Sequence, residues 1–465
     1  MLDGGAVFGE PVSAPIVVIG GGFSGLRAAV VLVDAGHRVT VLESRVGLGG
    51  RARSFTDPAT DEVVDNGQHL FLGGYHRTLA FLSRLGTRDR LVFQDRLKVS
   101  FVEPGGKVFT LDCPPVSPPW HLILGVMRLP GIRFLDKLRL WQVWREVRRS
   151  NGSGSSAAEE TVEGWLERLG QGERSRAIFW DPLTIAALNE DPGKACAAGL
   201  KRVLFSLMAQ PPEDARLGMA AVGLSDLYTE QARRIIEEKG GQVILNRPVA
   251  GLEIQGERVR AVRFADGTLL EAEAVISAVP PWVLLRILPD PSAAGESLGC
   301  ALQRFSISPI VSVNLWLDRP VTDALFVALI GCRYQWLFNK AAILSLAGMQ
   351  ANYVSLIISA AYDFIDRPNE ELVRVALEDL RACFPAAVHA QLTHSQVVRE
   401  REATVSLTVK TEKLRPGPCT ALRNLFLAGD WTATGLPATV ESAVVSGEAC
   451  GEEVLKWLAS AAPGQ

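Results

Sequence analysis

Short apolar runs and helix-length stretches alternate over the first fifty positions of this chain. Ile16 to Ile19 is wholly apolar, 26–33 is rich in alanine, valine and leucine, and a second apolar run, His37 to Leu42, stops at Glu43. Runs this short predict buried strands and the longer stretch predicts a helix, so the segment reads as strand, helix, strand. Downstream, 91–112 predicts paired strands around a Pro-Gly-Gly turn. A proline-rich approach at 114–119 leads into a long helical stretch over 120–149. An Asn-Gly-Ser-Gly-Ser-Ser linker follows at 151–156, and Ser156 and Glu159 have the spacing of a capping box for the next helix. Helices dominate the pattern of 157–240.

The pattern then changes. Residues 242–279 carry several short alternating runs separated by turn residues, Asp266-Gly267 among them, which predicts a β-meander followed by a strand at 274–278. Strands return over 300–365, an amphipathic helix is expected over 368–384, and 424–458 reads as strand, loop and final helix. Residues 341–362 lack charges for 22 positions, a length that suggests a membrane span. Gly348, Gln350 and Asn352 interrupt that run, and Tyr353 to Ser359 is β-branched. Two buried strands joined by a turn are therefore expected, in a soluble protein.

At 465 residues the chain is too long for one ordinary domain, and two or three are expected. With 48% hydrophobic and 21% charged residues it has the composition of a folded globular protein. A net charge of −3 gives no reason to expect a nucleic-acid partner. The seven cysteines are scattered and form no CxxC pair, which fits a reducing compartment and points to neither a disulfide framework nor a zinc site. The first fourteen residues include Asp3 and Glu10 and lack an apolar core, so no signal peptide is expected and a cytoplasmic location is.

Chemistry enters with the glycines. Gly20-x-Gly22-x-x-Gly25 sits between the first strand and the first helix, the layout of a dinucleotide site. Gly20 permits the tight turn, Gly22 lets a diphosphate approach the backbone, and Gly25 lets the helix pack on the strand with its N–H groups facing the phosphates. Glu43, 18 residues after Gly25, is placed to accept both ribose hydroxyls and would repel a 2′-phosphate, which disfavours NADP. Gly49-Gly50-Arg51-Ala52-Arg53 adds small residues and guanidinium donors that a nicotinamide site does not need. Glu-x5-Gly-Gly-Arg resembles the second signature of FAD-containing amine oxidases and carotenoid desaturases.

Near the other end of the chain, 424–447 reads NLFLAGDWTATGLPATVESAVVSG. In FAD-dependent oxidases of this type, an aspartate such as Asp430, after Gly429, reaches the ribityl or diphosphate region. A helix opening at Thr439 and Val440 points its N–H groups at the flavin pyrimidine. FAD, rather than NAD, is the cofactor these two motifs imply together.

Three further stretches narrow the resemblance: DNGQHLFLGGYH at 65–76, FWDPLTIAALNEDP at 179–192 and AGDWTATGLPATVESAV at 428–444. Taken together they resemble the hydroxysqualene dehydroxylase family, also known as squalene-associated FAD-dependent desaturases, within the amine oxidase and phytoene desaturase superfamily. The resemblance runs from about 15 to 455. It implies an α/β fold, with a Rossmann-like FAD-binding domain of the GR2 flavoprotein type and an inserted α+β substrate domain. The expected pieces are 15–90, 225–290 and 420–460 for FAD, and 91–224 and 291–419 for substrate.

The implied reaction is reductive: hydroxysqualene loses its hydroxyl to give squalene, in bacterial hopanoid and squalene biosynthesis, while reduced FAD is oxidised. An allylic hydroxyl leaves poorly unless it is protonated or hydrogen-bonded, so the site needs a proton donor, an apolar tunnel and exclusion of bulk water. His69 is the candidate donor, with Gln68 and Asp65 as candidates to orient it. Asp181 and Asn189 are polar positions in an apolar stretch, readable as cavity residues or as ordinary caps, and Glu441 is readable as a cap at a helix start. No Ser-His-Asp or metal-ligand set is recognisable. An electron donor is required, and no motif identifies it.

A C30 isoprenoid must arrive from a bilayer. Residues 120–149 suit that need, with an apolar cluster (Trp120, Leu122, Ile123, Leu124, Val126, Met127, Leu129) followed by seven basic residues against two acids. The same stretch reads as a lid helix with a solvated basic face. Peripheral contact at the inner face of the membrane is the expectation. Other readings share the cofactor motifs: a carotenoid-precursor desaturase or isomerase, a flavin amine oxidase, or a flavin-binding protein without activity. A merely structural flavin would not need the motif at the pyrimidine end.

Overall fold

The computed structural model describes residues 14–150, 159–349 and 351–461. Its first layer is a five-stranded parallel sheet in the order Gln242–Ile244, Val39–Leu42, Ile16–Ile19, Ala274–Ser277, Leu425–Leu427. Every residue of Ile16–Ile19, Val39–Leu42, Ala274–Ser277 and Leu425–Leu427 is buried. Such strands read as continuous apolar runs because a parallel sheet is covered on both faces. The first helix, Phe23–Asp34, and the final helix, Val440–Ala461, pack together on this sheet. Small residues allow their close approach: a Cβ on Gly447 would lie 2.2 Å from the Ser24 carbonyl oxygen. The meander predicted over 242–279 is present as the antiparallel strands Val249–Gln255, Arg258–Phe264 and Leu269–Glu271.

The second layer is a seven-stranded sheet in the order Leu392–Val405, Ile307–Leu317, Tyr353–Ser359, Trp336–Asn339, Phe326–Leu329, Lys98–Glu103, Lys107–Asp112. The last two strands form the hairpin expected around Pro-Gly-Gly, with Gly105 and Gly106 at φ +90° and +78°. The amphipathic helix Asn369–Cys383 covers one face with Leu372, Val375, Ala376 and Leu380. Helices between 120 and 209 cover the other side around a core that includes Trp144, Trp165 and Trp180.

Two expectations are corrected. Residues 341–362 are not two strands: Lys340–Ser345 is helical and only Tyr353–Ser359 is a strand. The Asn339 side chain accepts from the Ala342 N–H and so starts the helix, and Gly348 at φ +74° follows its end. The stretch 120–149 is two helices, Trp120–Arg128 and Phe134–Arg149, separated at Pro130 and at Gly131 (φ +81°). The linker 151–156 and Ser156 of the expected capping box lie outside the described residues. The helix Val162–Arg168 is capped by Thr161, whose hydroxyl oxygen accepts from Gly164.

Candidate active site

A continuous cavity of about 790 Å³ runs along the C-terminal ends of the parallel strands and under the seven-stranded sheet. Gly20, Glu43 and Asp430 follow three of those strands, so parallel register alone brings them to one edge. Gly20 adopts φ +113°, and a Cβ on Gly25 would lie 2.0 Å from the Gly20 oxygen, so the turn and the helix start are locked together. Around Gly22 the space is open, the nearest atom to a Cβ being Gly50 Cα at 3.8 Å. Gly49 donates its N–H to the Gly21 oxygen at 2.9 Å, which docks the Gly-Gly-Arg turn on the first glycine loop.

Glu43 is buried. One carboxylate oxygen accepts from the Gly21 N–H at 2.8 Å, and the other accepts from the Arg45 N–H at 3.0 Å and the Ser44 hydroxyl at 3.1 Å. It therefore fixes the loop and still borders the cavity, where a ribose would meet it. Arg51 joins the two ends of the chain, donating to Asp430 Oδ1 at 2.6 Å and to the Ala403 carbonyl at 3.1 Å. The Gly429 N–H donates to Ser446 Oγ, and the Thr439 hydroxyl oxygen accepts from the Ser442 N–H in the first turn of the final helix. Thr439 and Val440 line the cavity. Glu441 does accept backbone bonds at a helix start, but that of another helix: it takes the N–H groups of Arg77 and Thr78, at His76–Leu85.

Gln68 and His69 both line the cavity. Desolvation is the main influence on the His69 imidazole and pushes its pKa below the usual histidine value, against the pull of Asp65. Burial therefore favours the neutral ring. Asp65 does not orient it. Its carboxylate instead meets Lys340 Nζ at 2.8 Å, the Ser54 hydroxyl at 2.7 Å and the Leu224 N–H at 3.0 Å. Asp181 begins the helix Asp181–Leu188 away from the cavity lining, and burial raises its carboxyl pKa. Asn189 reaches the cavity, yet its side chain is held by Ser308, Thr404 and Ala360, which ties the end of that helix to the sheet.

Sequence reasoning missed Tyr228 and Lys340. Tyr228 is fully buried, stacks on Phe23 with ring centroids 3.6 Å apart, and donates to the carbonyls of Gly49 and Ala52. No local pattern marks it, because its partners lie 176 and 179 residues away.

These residues fit FAD. The bare backbone at Gly22 and Gly50 leaves room for a diphosphate, Arg51 borders the same space, and buried Gln68 Nε2 has no hydrogen-bond partner among the described residues. The far part of the cavity is apolar, lined by Leu70, Leu72, Val203, Ile310, Phe338 and Ile357.

The family model described as "Flavin containing amine oxidoreductase" matches residues 23–455. The chain belongs to the flavin-containing amine oxidoreductase family. It is an FAD-dependent oxidoreductase, and its family relatives give the resemblance more detail. A hydroxysqualene dehydroxylase of Sinorhizobium fredii is 33% identical over 92% of this chain and 95% of its own length. One of Rhodopseudomonas palustris is 32% identical over 96% and 99%. A 15-cis-phytoene desaturase of an Oncidium hybrid is more distant, at 26% over 95% of this chain and 78% of its own. Putrescine oxidase shares the family fold, with a TM-score of 0.72 at 16% identity over 95% of this chain and 99% of that one.

Arg51→Ala is expected to bind FAD at least tenfold more weakly, because a charge-assisted bond contributes ~1.5–3 kcal/mol. The flavin-to-protein absorbance ratio after dialysis measures this, and an unchanged ratio would remove Arg51 from the cofactor site.

Proposed function

We propose that this chain reduces hydroxysqualene to squalene. The observation that carries the reading is the continuity of one cavity from the glycine loops to an apolar chamber under the larger sheet. The dehydroxylase relatives agree with it. Reduced FAD, when bound, supplies the hydride that replaces the hydroxyl. Segments 15–90, 225–290 and 420–460 hold the cofactor, and 91–224 and 291–419 enclose the isoprenoid. Gly22, Gly50 and Arg51 receive the diphosphate on the turn that Gly20 and Gly25 shape, Glu43 the ribose, and Gly429, Asp430, Thr439 and Val440 the flavin half.

The apolar walls exclude water, and His69 and Gln68 hydrogen-bond the departing oxygen. His69→Ala is expected to keep its flavin while kcat falls by roughly 10²-fold, the lower range for a general acid or its hydrogen-bonding equivalent. Wild-type turnover in this variant would eliminate the role. The whole reading is tested by anaerobic incubation of pre-reduced protein with hydroxysqualene and mass spectrometry of the extracted lipid. Squalene forming as the flavin reoxidises supports it. Unchanged lipid beside flavin that stays reduced sinks it and turns attention to phytoene and dehydrosqualene.

Substrate reaches the enzyme from the inner face of a bilayer. No helix among the described residues is long and apolar enough to cross a membrane. The apolar side chains available for insertion include Trp120 and Leu124 of the expected cluster, but most lie on the second helix. Leu122, Val126 and Leu129 are core residues, whereas Phe134, Leu135, Leu138 and Trp141 are 65%, 63%, 52% and 55% exposed on the second helix, and Trp120 is 54% exposed on the first. Arg133 and Arg145, also exposed, flank them. Burying a large apolar side chain contributes roughly 1.5–3 kcal/mol. Leu138→Glu/Trp141→Glu is therefore expected to cut flotation with phosphatidylglycerol-containing vesicles at least tenfold while retaining flavin. Equal flotation would place the contact elsewhere.

A further inference from the structure

The final helix and the helix His76–Leu85 begin close together at one end of the cavity. Glu441 fastens them: its carboxylate accepts the N–H groups of Arg77 and Thr78 and, at 2.6 Å, the Thr78 hydroxyl. The residue immediately before the second of these helices is Tyr75. Its N–H donates to the Leu72 oxygen at 3.0 Å, and its own carbonyl accepts from the Leu79 N–H at 2.8 Å. The ring stands edge-on to fully buried Phe71, with centroids 6.4 Å apart. Backbone and ring are thus both held, and Tyr75 lines the cavity together with Thr439 and Val440.

The phenol hydroxyl meets the Thr439 side chain. A phenol oxygen accepts as well as donates, so this contact leaves its O–H able to turn to a bound molecule. Thr439 is occupied locally, accepting from the Ser442 N–H and donating to the Pro437 oxygen, both at 3.3 Å. Burial pushes the Tyr75 pKa up to about 12, and the Glu441 charge acts in the same direction, against the Thr439 contact. The group is therefore a neutral O–H donor across the physiological range. It stands beside the start of a 22-residue helix, whose first N–H groups carry a partial positive charge. Two kinds of donor thus border one end of the cavity, a combination that suits a ring whose oxygen gains negative charge.

We propose that Tyr75 donates its phenol hydrogen to the pyrimidine ring of the bound flavin, beside the helix start at Thr439 and Val440, and thereby raises the flavin's midpoint potential. Reduction of a flavin places negative charge on the pyrimidine, so a donor fixed there stabilises the reduced form more than the oxidised one. A hydrogen bond to a charged group shifts such an equilibrium about tenfold or more. The phenol passes on neither proton nor electrons; it sets how readily the flavin accepts electrons from its donor. This assignment rests on the placement of the flavin half at the final helix and is independent of which lipid is reduced.

The test is the midpoint potential of purified holoenzyme, measured anaerobically against a reference dye during slow reduction. Tyr75→Phe removes one oxygen and keeps the ring on Phe71, so Tm is expected at the wild-type value and the flavin is retained. That flavin is expected to favour the oxidised form about tenfold more than in wild type, a fall of roughly 30 mV for a two-electron couple. Val440→Pro tests the placement separately. Val440 is the first residue of its helix, where proline is accepted and removes the N–H that the flavin would meet, so here too the potential should fall. An unchanged potential in Tyr75→Phe beside a lowered one in Val440→Pro overturns the Tyr75 assignment and leaves the flavin placement standing. Unchanged potentials in both variants defeat the placement, and the Tyr75 assignment with it. Flavin lost from Tyr75→Phe with no shift in the potential of what remains also overturns the assignment, because the phenol then serves packing alone.

Discussion

Lys340→Met is expected to destabilise the protein by about 3–5 kcal/mol, the cost of leaving one member of a buried ion pair without its counter-charge. Lys340 Nζ lies 2.8 Å from Asp65 Oδ2, and both side chains are only 2% exposed. The other Asp65 oxygen accepts from Ser54 and Leu224, so the carboxylate has a full set of donors and no route to water. Removing the ammonium strands that charge. The pair joins the strand Val63–Asp65 to the end of Trp336–Asn339 and thereby anchors the segment that leads to Gln68 and His69. Urea unfolding should show the loss as a lower midpoint, and Lys340→Met/Asp65→Asn should recover much of it, because the second change removes the orphaned charge. A single variant within about 1 kcal/mol of wild type would mean that the pair is solvated in solution, where such pairs contribute little.

The second large effect separates two glycines three residues apart. Gly25→Ala should yield protein with almost no flavin and poor solubility. Its Cβ would sit 2.0 Å from the Gly20 oxygen and 3.1 Å from Ala278 Cβ, and the first of these is backbone that cannot swing aside. Overpacking of this kind typically costs about 1–3 kcal/mol, with more expected where the clash is with main chain. Gly22→Ala behaves differently. Its methyl group meets nothing closer than 3.8 Å in the protein, so folding should be normal. The methyl fills the approach for the diphosphate, however, and FAD affinity should fall by an order of magnitude or more. Soluble yield, Tm and flavin stoichiometry for the two variants provide the comparison. Equal folding and equal flavin content in both would refute the division of roles.

What can be read from the chain in advance follows the range of each interaction. The strand-turn-helix at 16–34 and the strand ending at Glu43 are legible because their glycines and apolar runs act over a few residues. Asp430 is legible as well, since its own strand and helix frame it locally. Its bond to Arg51 is beyond any local pattern. Lys340 stands at the edge of an apolar run, and nothing near it announces a carboxylate 275 residues earlier. For the same reason Asp65, adjacent in sequence to the His69 segment, reads as a partner of that histidine when its true partner is Lys340. The helix Lys340–Ser345 reads as a strand because its apolar residues carry no decisive period over six positions, and Asn339 gives the only local sign of its start. In 120–149 the Pro-Gly break is visible, yet the apolar face cannot be divided into core and surface without knowing what packs beneath it.

The parallel sheet is completed by Leu425–Leu427, and the Arg51–Asp430 bond spans 379 residues. During synthesis, the ribosome must therefore make nearly the whole polypeptide before the carboxylate partner of Arg51 exists. A chain cut short of Leu425 would lack both that carboxylate and the closing helix, and is expected to retain little flavin.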